Sequence, residues 1–197
     1  MIFKKSGGPV DFLVVGLGNP GKQYENTRHN AGFRALNTLA GDLGVDVKRS
    51  RFSALCGEGK IGDKRVLFML PQTYMNKSGE AVAAAMKFYK LEPSQLLVFS
   101  DDVSLSLGTV RVRRKGSDGG QKGLRSIITY LGTEEFARVK LGVGEKPHPQ
   151  MELADWVLSR FTKAEGETMD EAAKTAADAA KLIVAGNIDE AMNRFSK

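Results

Sequence analysis

The sequence predicts an α/β fold: a single domain with a mixed β-sheet sandwiched between helices. Apolar strand-like runs at 12–17, 65–70, 95–100, 109–113 and 137–143 alternate with helical patterns near 30–43, 78–90, 121–131 and 165–186. The short strands expected at 52–60 and 109–114 are not followed by a long crossover helix, so part of the sheet must be antiparallel. A length of 197 residues, 42% of them apolar, suffices for one core of ordinary size. No linker, internal repeat or low-complexity tract marks a second domain. The chain therefore divides into a flexible leader at 1–9 and one domain at 10–197.

The first apolar run, Phe12-Leu13-Val14-Val15-Gly16-Leu17, stops at Gly18-Asn19-Pro20-Gly21. A polar loop carrying Tyr24, Arg28, His29 and Asn30 is thereby delivered to the strand's carboxyl end, where open α/β sheets place their ligand crevices. Phe33, Leu36, Leu39, Ala40 and Leu43 then fall at helical spacing with Gly44 behind them, and Ala81, Val82, Ala85, Met86 and Tyr89 repeat the pattern. The run at 95–100 ends in Asp101-Asp102, a second polar strand end. Arg111 and Arg113 alternate with Val110 and Val112, and Lys140 lies between Val139 and Leu141, so each set of cations shares one strand face. Beyond Glu165 the chain is Ala-rich, with acidic residues early and Lys174 and Lys181 later, the charge order that suits a helix dipole; Gly186-Asn187 ends it.

Several function classes are excluded. Cys56 is the only cysteine, so no internal disulfide forms, and two histidines with one thiol leave little material for a structural zinc site. A reducing, cytoplasmic setting follows. Residues 1–9 lack the apolar core of a signal peptide, and no stretch reaches the roughly 20 apolar residues of a membrane span. Gly16-Leu17-Gly18-Asn19-Pro20-Gly21 satisfies G-x-G-x-x-G, but Pro20 and the polar run to Asn30 delay the helix whose N-terminus a pyrophosphate would need, so no nucleotide cofactor is expected. G-x-S-x-G and H-E-x-x-H are both absent, which leaves water attack without an acyl-enzyme or metal. The net charge of +6 is modest, but nine basic residues against four acidic ones lie between Thr109 and Lys146. Arg111, Arg113, Arg138 and Lys140 are among them.

His29 and the acidic pair Asp101-Asp102 lie at strand ends that such a sheet brings together. A histidine held through one ring nitrogen by a carboxylate has its tautomer fixed and its basicity raised, as a general base for water requires near neutral pH. One aspartate of the pair can instead cap the turn before Ser104. Asn19 and Asn76 each follow an apolar strand, where an Asn serves either a turn or the orientation of a neutral substrate.

Val14-Val15-Gly16-Leu17-Gly18-Asn19-Pro20-Gly21, with Tyr24 and Thr27-Arg28-His29-Asn30, resembles the opening signature of bacterial-type peptidyl-tRNA hydrolases. Pro71-Gln72-Thr73-Tyr74-Met75-Asn76-Lys77-Ser78-Gly79, Ser100-Asp101-Asp102 and Gly116-Ser117-Asp118-Gly119-Gly120-Gln121-Lys122-Gly123 follow in that family's order. The resemblance implies hydrolysis of the ester between a peptide, or an N-blocked amino acid, and the 3′ end of tRNA. His29 would be the base and Asp101 its partner. Asn19, Tyr24, Tyr74, Asn76, Gln121 and Lys122 would bind substrate, and Arg111, Arg113 and Lys140 would hold phosphates of the acceptor arm. A monomer with no cofactor and no obligate protein partner is the default expectation. The chain departs from the family at Gln121 and Lys122, where a histidine and often an asparagine are usual. Gln cannot titrate near pH 7, and Lys adds a cation. These two positions keep open a second reading, an RNA-binding relative without turnover.

Overall fold

A computed structural model describes residues 9–196. Of the expected flexible leader at 1–9, all but Pro9 lies outside the described residues, and Val10 is already buried. The strands are β1 (Phe12–Gly16), β2 (Arg49–Arg51), β3 (Ala54–Ile61), β4 (Lys64–Pro71), β5 (Leu96–Asp102), β6 (Val110–Arg113) and β7 (Ala137–Gly142). The helices are α1 (Ala31–Asp42), α2 (Ser78–Tyr89), α3 (Lys122–Leu131), α4 (Leu153–Val157), α5 (Lys163–Val184) and α6 (Ile188–Phe195). All the strands belong to one sheet of order β2-β3-β4-β1-β5-β7-β6. Its centre, β4-β1-β5-β7, is parallel, and its margins, β2-β3-β4 and β7-β6, are antiparallel. The mixed sheet is thus as the sequence predicts; β2, β3 and β4 follow one another without an intervening helix, whereas β6 and β7 are antiparallel although α3 lies between them in the chain.

Period-two alternation in the buried strands splits the core into two layers. Phe12 and Val14 of β1, Phe68 of β4 and Leu97 and Phe99 of β5 face α1 and α5, whereas Leu13, Val15, Leu67, Met69, Leu96 and Val98 face α2 and α3. Ala172, Ala173, Ala176, Ala177 and Ala180 of α5 are buried, and these small side chains let the helix approach closely. Its start is fixed by a reciprocal cap: Thr162 Oγ1 accepts from the Glu165 amide at 3.2 Å and Glu165 Oε2 from the Thr162 amide at 2.8 Å. The helix therefore begins at Lys163 rather than at 165.

Three elements, β2, α4 and α6, go beyond the sequence expectation. Among the described residues no helix is long and apolar enough to cross a membrane.

Arg138 corrects the reading of the basic segment. It is 1% exposed, beneath the β6–β7 margin, and its guanidinium donates to the carbonyls of Gly116, Ser117, Glu134 and Phe136. Burial pulls its pKa down to about 10, partly opposed by Glu134. This arginine ties the loop before α3 to the strand that follows the helix, and it is not available to an external phosphate.

Candidate active site

The carboxyl ends of β1 and β5 lie side by side, and three chain segments close over them. Beyond Gly16 the backbone continues in sheet-like contact, the Leu17 amide donating to the Phe99 carbonyl at 3.0 Å. The Phe33 amide then donates to the Leu17 carbonyl, which seats the start of α1 on the strand end. Gly32 lies at this crossing, where a Cβ would stand 2.5 Å from the Phe99 carbonyl oxygen and 2.6 Å from both the nitrogen and the oxygen of Leu17. A side chain is excluded there by backbone on two elements. In place of a helix after the glycine-rich turn, the chain forms 3-10 turns at Lys22–Tyr24 and Arg28–Asn30, the second holding His29 immediately before α1.

Asn30 joins this turn to the strand end, its Oδ1 accepting from the Asn19 amide at 2.9 Å and its Nδ2 donating to the Asn19 carbonyl at 3.0 Å. Arg28 anchors the other side. Its guanidinium pairs with both Glu165 oxygens at 2.9 and 3.0 Å, donates to the Val143 carbonyl and stacks on Trp156, 3.7 Å from the ring centre. Burial works against the Glu165 carboxylate, but the Thr162 amide and Arg28 outweigh it and hold the group below the usual range.

His29 Nδ1 lies 2.9 Å from Asp101 Oδ2, with both side chains buried. The second carboxylate oxygen, Oδ1, accepts from Gln121 Nε2 at 3.0 Å, and Gln121 Oε1 caps α3 by accepting from the Leu124 amide at 2.8 Å. With Asp101 accepting, the imidazole proton belongs on Nδ1. Nε2 remains without a partner among the described residues, in a residue that lines a cavity of about 470 Å³. Burial disfavours the imidazolium and Lys122 adds to that effect, but the charge and hydrogen bond of Asp101 prevail, and the pKa of His29 is raised.

Asp102 does different work. Its Oδ1 accepts from the amide and hydroxyl of Ser104, and its Oδ2 pairs with Lys140 Nζ at 3.2 Å. Burial pushes its pKa up, but the Ser104 contacts and then Lys140 overcome it and hold the carboxylate below the usual range.

The cavity brings together Asn19, His29, Tyr74, Asn76, Asp101, Gln121, Lys122 and Lys140. Tyr24 is half-buried in its 3-10 turn and does not line the cavity, and neither do Arg111 and Arg113. Arg111 is paired in register with Lys140 on the outer strand β6. Asn19 Oδ1 is already used, accepting from the Met75 amide at 2.7 Å, so its Nδ2 is the end left for a ligand. Sequence reasoning missed the far wall, Glu152, Leu153, Val157 and Leu158 around α4, and the anchoring role of Arg28. The Thr162-x-x-Glu165 cap was a readable signal for the start of α5 but not for the pairing of Glu165 with Arg28; nothing in the sequence marked α4.

A family model described as peptidyl-tRNA hydrolase matches residues 13–197. The chain belongs to the peptidyl-tRNA hydrolase family. A peptidyl-tRNA hydrolase of Agathobacter rectalis is 48% identical over 186 residues, covering 94% of this chain and 100% of that one. One from Moorella thermoacetica is 49% identical over 185 residues, or 93% and 97% of the two chains. The crystal structure of peptidyl-tRNA hydrolase from Acinetobacter baumannii superposes with a TM-score of 0.89 at 35% identity, covering 96% of this chain and 97% of that one. Both the sheet and the helices on its two faces are therefore those of the peptidyl-tRNA hydrolase family.

Proposed function

We propose that this member of the family hydrolyses the ester between a peptide, or an N-blocked amino acid, and the 3′ end of tRNA, with His29 as general base. The observation that carries the mechanism is the His29–Asp101 contact at 2.9 Å beside the cavity. Nε2 takes a proton from water as its oxygen adds to the ester carbonyl carbon. The carbonyl electron pair moves to oxygen, then returns to expel the ribose 3′ oxygen, which recovers the proton from Nε2. The products are a peptide carboxylic acid, which ionises by releasing water's second proton to solvent, and free tRNA. Asp101 keeps the imidazole oriented through both transfers, and Gln121 keeps Asp101 oriented.

No metal or acyl-enzyme is needed in this scheme. Cys56 supports that reading, because it is buried in the β3–β4 layer with its pKa pushed up by burial to about 11, and it lies outside the cavity. Asn19 Nδ2, Asn76 and Tyr74 are assigned to the peptide portion, which rests in the cavity against Leu153, Val157 and Leu158. We assign the protein to the cytoplasm as a monomer without cofactor or obligate protein partner.

A requirement for a blocked amino group tests this function. Purified protein should release N-acetyl-amino acid from N-acetyl-aminoacyl-tRNA and leave unblocked aminoacyl-tRNA intact over the same interval. Equal hydrolysis of both, or of neither, overturns the proposal.

Arg111 and Arg113 are assigned to acceptor-arm phosphates. Phosphate contacts position the nucleic acid without reading its sequence. Lys140 contributes less than its sequence position suggested, being neutralised by Asp102. Replacing Arg111 and Arg113 by Ala is expected to reduce the slope of log K against log salt by about one for each residue, equally for different tRNAs. An unchanged slope removes the two arginines from the interface.

A further inference from the structure

The charged side chains around the cavity are almost all neutralised locally. Lys140 pairs with Asp102 at 3.2 Å, Asp118 with Arg125 at 3.3 Å, and Asp101 with His29 at 2.9 Å. Among the described residues only Lys122 and Glu152 line the cavity without an ionic partner, and Glu152 lies on the α4 wall. Lys122 is the first residue of α3, directly after Gln121, whose side chain caps that helix and holds Asp101. The backbone position of Lys122 is thus fixed by the group that orients the catalytic pair, while its own side chain is exposed at the cavity.

We propose that Lys122 is a catalytic residue of this chain, its ammonium facing the anionic oxygen that forms when water adds to the ester carbonyl. The inference rests on the hydrolase reading above. Addition of water moves the carbonyl electron pair onto oxygen, and a cation at the cavity wall attracts that charge more strongly than it attracts the neutral ester. Lys122 keeps its protons throughout: water's proton goes to His29 Nε2 and then to the leaving 3′ oxygen. A second effect accompanies the first. The charged groups acting on His29 are Asp101 from β5, which favours the imidazolium, and Lys122 from α3, which opposes it. Asp102 with Lys140, Asp118 with Arg125, and Glu152 complete the charges at the same cavity. Lys122 therefore extends downwards in pH the range over which His29 is a free base.

The test is release of N-acetyl-amino acid from N-acetyl-aminoacyl-tRNA by wild type, Lys122→Met, Lys122→Gln and Lys122→Arg, measured from pH 5 to 9. Lys122→Met and Lys122→Gln are expected to lower kcat by about tenfold to a hundredfold, in the range of other single transition-state donors or somewhat below it. KM should change less than threefold, and the acid limb of kcat/KM should move to higher pH. Lys122→Arg should restore most of kcat and the position of the limb. An unchanged kcat with raised KM overturns the proposal and makes Lys122 a phosphate or peptide contact, and so does an unmoved acid limb. His29-dependent release by wild type keeps these outcomes separate from failure of the hydrolase reading. Without any such release, both readings fall.

Discussion

His29→Ala is expected to lower the rate of ester release by a factor of roughly 10²–10⁴, the usual worth of a positioned general base, while tRNA affinity stays within a few-fold of wild type. The separation is expected because His29 is buried beside the cavity, whereas the assigned phosphate contacts Arg111 and Arg113 lie on β6. Asp101→Asn should cost a comparable factor. An amide in place of the carboxylate removes the charge that favours the imidazolium, and its NH₂ can donate to Nδ1, which would put the proton on Nε2. The pH profile carries the same logic with a definite sign. Only neutral His29 accepts a proton, so activity rises as pH passes upward through its pKa. That pKa is raised in the fold, so the acid limb should lie above the ordinary histidine value. In Asp101→Asn the limb should move to lower pH, opposite to the shift expected of Lys122→Met. Full activity in His29→Ala would remove the base from the mechanism.

Gly32→Ala is expected to be the most damaging single-methyl change near the site, lowering stability by about 3 kcal/mol with a correspondingly lower midpoint in urea unfolding. The added carbon would meet three backbone atoms, and none is the end of a flexible side chain. α1 would have to lift from β1 and β5, and His29, three residues earlier, would move with it. Loss of activity should therefore exceed what the unfolded fraction explains at temperatures where the variant remains folded. A variant as stable as wild type would show that the helix start can yield.

The central sheet was legible because β1, β4, β5 and β7 are short apolar runs ended by polar loops, and the helices α1, α2 and α3 carry strong apolar stripes. β2 was not legible, for Arg49, Ser50 and Arg51 alternate nothing apolar and pair only because β3 offers an edge. α4 spans five residues, too few for a period, and α6 lies beyond Gly186-Asn187, which correctly ended the preceding helix. In the site, the meeting of His29 with the acidic pair was recoverable from two strand ends, and the choice of Asp101 over Asp102 came from the family resemblance; in the structure it is Asp101 that lies 2.9 Å from His29. A count of charge does not register burial in the basic segment. Arg138 and Lys140 have the same charge and adjacent sheet positions as external cations, yet one bonds four carbonyls inside the fold and the other an aspartate. One-dimensional alternation cannot distinguish these cases.

The Arg28–Glu165 pair has a bearing on biosynthesis. It links positions 137 residues apart, while the His29–Asp101 pair spans 72, so the loop holding His29 is pinned only after the start of α5 has left the ribosome and docked. A growing chain shorter than this has every strand of the sheet but lacks the carboxylate that holds Arg28, the neighbour of His29.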